Sequence, residues 1–137
     1  MTWERVVTVD DFFDHPLKGI AFCDGKLVAY ERLWDESADD YAELYGVMPI
    51  DEDLLPLIEE KAAITERYFN AFHAGEAARE THPALPNERS RYEALTMILH
   101  PLTSVNLNTC ECVHAEFRLC LPDWLGATVR WHLRSAD

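Results

Sequence analysis

The stretch Gly19-Ile20-Ala21-Phe22-Cys23-Asp24-Gly25-Lys26-Leu27-Val28-Ala29-Tyr30-Glu31-Arg32-Leu33 decides the fold class. Two β-prone runs flank Asp24-Gly25, the residue pair a type I′ turn prefers because both central positions need positive φ. The spacing predicts a hairpin of strands 19–23 and 26–33. On the second strand Val28, Tyr30, Arg32 and Trp34 share one face, and Leu27, Ala29, Glu31 and Leu33 share the other.

Upstream, Val6, Val7 and Val9 form a short β-prone run, followed by Asp10-Asp11, Phe12-Phe13 and a turn-like His15-Pro16. Downstream, Asp35 to Glu43 reads as an acidic loop or turn, and Tyr41 to Ile50 supplies a further strand. Asp51 or Asp53 then caps a helix in which Leu54, Ile58, Ala62, Phe69 and Phe72 recur near a 3.6-residue period. Pro56 falls in its first turn and Gly75 stops it. A second helix is expected from Asn87, with Tyr92, Leu95, Ile98 and Leu99 inward and Pro101 ending it. Thr109 to Leu121 reads as a strand, Pro122-Asp123 as a turn, and Thr128 to Leu133 as a returning strand. Strands, two helices, then strands predict an α+β fold in a single domain, 1–137. Its sheet is mainly antiparallel, with the helices packed on one face.

The chain has 137 residues and a formal charge of −13. Residues 1–60 hold 16 Asp and Glu against 4 Lys and Arg, whereas residues 61–137 hold 9 against 8. Hydrophobic residues make up 48%, too many for a chain kept unfolded by its charge. A one-sided negative field repels nucleic acid and anionic membrane and steers a basic partner toward one face. The few basic residues are never clustered with aromatics, so direct nucleic-acid binding is not expected. No apolar run approaches the roughly 20 residues of a membrane span. Met1-Thr2-Trp3-Glu4-Arg5 has neither a basic region nor a following apolar run, so no secretory signal is expected. The four cysteines are expected as thiols in a reducing cytosol.

Catalytic signatures such as GxSxG, a P-loop, GxGxxG and HExxH are absent from the sequence. The closest approach to a site is Cys110-Glu111-Cys112-Val113-His114, with Cys120 beyond. On a strand, Cys110, Cys112, His114, Glu116, Arg118 and Cys120 line one side, and Val113, Ala115, Phe117, Leu119 and Leu121 the other. Thiolates and imidazole suit zinc, but strand neighbours two apart diverge by about 6.5–7 Å and would need a bulge to converge. Small buried cysteines are also ordinary core residues. His15, His82 and His100 each precede a proline, which marks turns and helix boundaries. The acidic loop has neither the spacing nor the glycine of a calcium loop.

Three stretches carry a resemblance: Gly19-Ile20-Ala21 through Tyr30-Glu31-Arg32-Leu33-Trp34-Asp35, then Ala71-Phe72-His73-Ala74-Gly75, then Thr81-His82-Pro83-Ala84-Leu85-Pro86. Together they resemble a family of small, acidic, uncharacterised bacterial proteins, over about residues 15–90. The resemblance implies a bacterial cytoplasmic origin and transfers no site residue.

Function is therefore expected from the charge split. The leading expectation is a non-catalytic interaction protein, in the manner of an immunity protein, an antitoxin or a nucleic-acid mimic. Its basic protein partner would meet Asp35, Glu36, Asp39, Asp40 and Glu43, with Trp34 and Tyr41 as aromatic anchors. No cofactor is expected on that reading. The competing expectation is a small zinc-binding or thiol enzyme using Cys110, Cys112 and His114.

Overall fold

A computed structural model describes residues 2–78, 83–119 and 126–132. They fall into two compact units, one from residues 1–52 and 103–137 and the other from 53–102. The first holds six strands: β1 (Glu4–Phe13), β2 (His15–Cys23), β3 (Lys26–Asp35), β4 (Asp40–Pro49), β5 (Glu111–Arg118) and β6 (Thr128–His132). The second holds α1 (Leu55–His73) and α2 (Arg89–Thr103), each entered through a 3₁₀ turn.

Each strand pairs antiparallel with the next, and β6 returns to β1, so the sheet closes into a barrel. This corrects the expected α+β fold with helices packed on one face of a sheet. A sheet closed on itself has one inner and one outer surface, and the chain is mostly β. Closure rests on Glu4 opposite Val129 and Arg5 opposite Thr128, with the Val6 N–H donating to the Ala127 carbonyl at 3.0 Å.

The hairpin read from Asp24-Gly25 is present, with Cys23 opposite Lys26. Both turn residues have positive φ, 52° and 76°. The Glu4 carboxylate accepts both of their amides, at 2.7 and 3.0 Å, and so ties β1 to that turn. The strand expected over 41–50 is β4, and the returning strand expected over 128–133 is β6 through His132, with Leu133 outside the described residues. β5 keeps the expected alternation, with Val113 buried and Ala115, Phe117 and Leu119 packed on the core. Cys120, Leu121 and the turn expected at Pro122-Asp123 lie outside the described residues.

Side chains fill the barrel. Tyr30, Tyr45, Phe117 and Trp131 form one ring cluster, with centroids 5.3–6.2 Å apart. Val6, Val28, Val47, Val113 and Val129 complete it. The polar tips reach backbone: the Tyr30 hydroxyl donates to Thr8 O at 2.9 Å, the Tyr45 hydroxyl to Pro16 O at 2.6 Å, and Trp131 Nε1 to Phe22 O at 2.8 Å. Buried aromatics thus gain apolar burial without orphaning a donor.

This core holds protons tightly. Burial pushes the Cys23 thiol from its usual 9.0 up to about 11 and the Tyr45 phenol from 10.0 to about 12, and raises Tyr30 well above 10.0. Above pH 9 the unfolded chain loses these protons first while the folded barrel keeps them, so stability falls as pH rises. The expected result is a melting temperature level from pH 7 to 9 that declines from there toward pH 12. A melting temperature unchanged across that alkaline range would contradict it.

In the helical unit, Ile58, Ile64, Tyr68, Leu95 and Leu99 are buried. Phe69 and Ile98, expected inward, are exposed. The cap expected from Asp51 or Asp53 is replaced by a 3₁₀ turn ending at Leu54, which makes no side-chain cap bond. Gly75 ends α1 as expected, at φ 75°. Pro101 does not end α2, which runs to Thr103, since its φ is helical and only one N–H is lost. Ion pairs Arg67–Glu88 and Arg91–Glu60, both 2.6 Å, join the two helical segments.

Candidate functional site: an aromatic and acidic groove at the hairpin tips

Two hairpins end beside one another. The first, β1–β2, turns through Asp14, and the second, β3–β4, through Glu36–Asp39. Asp14 and Asp39 have φ of 60° and 50°, a left-handed conformation that aspartate tolerates better than most residues. Between the tips lies a groove of about 540 Å³ lined by Asp11, Phe12, Phe13, Leu17, Trp34, Asp39, Asp40 and Tyr41.

Irregular pairing is what opens it. The β1–β2 register shifts between Val6 and Thr8, between Val9 and Asp11, and again between Asp11 and Phe12. A bulge re-aims the side chains around it. Strict alternation past Asp11 therefore fails, and Asp11, Phe12 and Phe13 are all exposed in sequence. Phe12 is 42% and Phe13 64% exposed. A further shift separates Arg32 from Trp34 on β3. Tyr30 points into the core, whereas Trp34, of the same parity, is 50% exposed.

The acidic turn is shorter than the loop expected over 35–43, because Asp35 and Asp40 to Glu43 belong to strands. Asp35 organises it. One carboxylate oxygen accepts Ser37 Oγ at 2.7 Å and the amides of Ser37 and Ala38 at 3.0 and 3.4 Å. The Ser37 hydroxyl, then the Ala38 amide, hold the Asp35 carboxyl below its ordinary range. Asp40 and Asp11 each accept the next residue's amide, at 2.7 and 2.9 Å. Trp34 stands opposite Tyr41 across the ladder, rings perpendicular at 5.0 Å. Arg32 lies over the Tyr41 ring at 5.6 Å and donates from Nε to Ala42 O.

Of the residues expected to meet a partner, Trp34, Asp39, Asp40 and Tyr41 line the groove. Asp35, Glu36 and Glu43 do not. Tyr45, which shares the aromatic surround in sequence, is a core residue. Asp11, Phe12 and Phe13 were not anticipated. Two adjacent phenylalanines beside Asp10-Asp11 were the available signal, because a regular strand cannot bury both.

The cysteine and histidine cluster is arranged differently. Cys110 precedes β5, and its thiol is pushed up by burial and then by Cys112, away from the thiolate a nucleophile needs. His114 Nδ1 meets the Glu43 carbonyl at 2.9 Å. Among the described residues no three His, Cys, Asp or Glu are grouped to hold a metal ion. Nor, among them, is any helix long and apolar enough to cross a membrane.

The basic groups of β5 and β6 are already engaged. Arg118 and Arg130 stand over the Trp3 ring at 3.9 and 4.9 Å, and Glu116 accepts from Arg130 at 2.8 Å and meets His132 at 2.7 Å. Those two partners, His132 first, hold Glu116 below its ordinary range.

In comparisons with protein-family models, curated proteins and solved structures, nothing matches this chain.

Proposed function

We propose that this protein is a non-catalytic binding module that docks a basic protein partner on the groove between its hairpin tips. One observation carries the reading: exposed Phe12, Phe13 and Trp34 share a concave surface with Asp11, Asp39 and Asp40. Aromatic anchors within a charged surround are how protein interfaces combine affinity with steering. The bacterial cytoplasm is the setting this reading assumes.

Its test is binding of a lysine- and arginine-rich peptide at low and high salt, by wild type and by a variant carrying Asp11→Asn, Asp39→Asn and Asp40→Asn, the three carboxylates that line the groove. Binding is expected to weaken about tenfold or more in the variant, mainly through slower association, and to lose its salt dependence. Wild-type binding indifferent to both salt and neutralisation would overturn the proposal.

A further inference from the structure

The entry to β5 brings two thiols together. A regular strand would hold Cys110 and Cys112 about 6.5–7 Å apart. Cys110 stands outside the strand: it closes the turn before β5, its N–H donating to Asn106 O at 2.9 Å, and the β4–β5 pairing starts only at Glu111 opposite Val47. Freed from the ladder, the Cys110 sulfur lies over Gly46 on β4, 2.6 Å from where a Cβ would stand. Gly46 is the residue directly opposite Cys112, and only glycine leaves room there. Opposed Cβ positions are about 4.5–5.5 Å apart, so this seat carries the sulfur of Cys110 in beside Cys112. The two side chains are hydrogen-bonded to one another, and both are half-buried. Burial, then Cys112 itself, keep the proton on Cys110. A disulfide stabilises according to the length of chain it closes, and only Glu111 lies between these two. Such a bond is no staple. It is of the strained, accessible kind that opens readily.

We propose that Cys110 and Cys112 form a redox modification site, a dithiol that closes reversibly to an intramolecular disulfide by exchange with a small-molecule disulfide. Cys112 gives up its proton and its sulfur attacks the small disulfide, so that one small thiol leaves and a mixed disulfide forms. The Cys110 sulfur then displaces the second small thiol, which leaves with the Cys110 proton. Two electrons and two protons pass from the cysteines to the small disulfide, which becomes two thiols. The site is independent of the groove at the hairpin tips.

The test exposes the folded protein to oxidised glutathione, alkylates the remaining thiols and maps the tryptic peptides by mass. Cys110 and Cys112 share the peptide 92–118, which contains neither Cys23 nor Cys120. In wild type that peptide is expected to become lighter by two hydrogens, to regain them with a dithiol reductant, and to carry little glutathione. Cys110→Ser should instead accumulate glutathione on Cys112. Gly46→Ala puts a methyl where the Cys110 sulfur sits. It should still take glutathione on Cys112 but close the ring about tenfold or more slowly. Thermal melts establish which variants are folded. Wild type that stays reduced, that accumulates glutathione as Cys110→Ser does, or that joins either cysteine to another peptide would overturn the inference. So would a folded Gly46→Ala protein that closes as fast as wild type. If Gly46→Ala does not fold, wild type and Cys110→Ser decide alone.

Discussion

Trp131→Ala is expected to cost about 4 kcal/mol of folding stability, within the range for emptying a buried aromatic site. Trp131 is 3% exposed and touches the rings of Tyr30, Tyr45 and Phe117. Its removal leaves a cavity among three rigid rings that cannot collapse into it. It also removes the Nε1 donor to Phe22 O, a link from β6 across to β2. Against a total of roughly 5–15 kcal/mol for a typical domain, that is between about a quarter and four-fifths of the whole. Trp131→Phe keeps most of the volume and loses the bond, so a smaller loss of about 1–2 kcal/mol is expected. Chemical denaturation of the three proteins measures this directly. Equal midpoints would show that the ring cluster does not hold the barrel together.

Gly19→Ala carries the second largest expected effect. Gly19 lies between Val9 on β1 and Tyr30 on β3. A Cβ there would collide with the Thr8 carbonyl and stand 2.7 Å from the Tyr30 hydroxyl. Backbone on one side and a hydrogen-bonded ring on the other leave nothing free to move. The methyl must push β1 aside or break the Tyr30–Thr8 bond, so about 3 kcal/mol of stability is expected to be lost. Gly25→Ala is the contrast: its Cβ meets nothing within 4 Å, and only the positive φ opposes it. That variant should lose about 1 kcal/mol. A Gly19→Ala protein as stable as Gly25→Ala would show that β1 accommodates the methyl without strain.

How far the fold could be read depended on the range of each signal. Asp24-Gly25 was legible because turn chemistry is local, and β5 because its alternation runs unbroken from Val113 to Leu119. Barrel closure was not legible. Glu4 opposite Val129 joins opposite ends of the chain, and nothing in either strand alone specifies that partner. The length of β1 was hidden by Asp10-Asp11, which read as a break although the strand continues through bulges to Phe13. Those bulges also hid half of the groove. Trp34, Asp39, Asp40 and Tyr41 could be named because charge and aromatics sit together in sequence. Phe12 and Phe13 join them only through the adjacency of two hairpin tips. Helix facing failed at Phe69 and Ile98 because periodicity marks a stripe without setting its width.

The consecutive pairing of β1 to β4 has a consequence for how the molecule is made. Every residue that lines the groove lies between positions 11 and 41, ahead of the helical unit in the chain. Those strands zip by short loops, which fold quickly because little chain entropy is lost in closing each one. The β1–β6 seam must wait for the last strand to be synthesised and for a long intervening segment to be drawn in. During translation the groove between the hairpin tips is therefore expected to take shape first and the barrel to seal last. Late damage to the seam would loosen a groove that had already formed rather than prevent its formation.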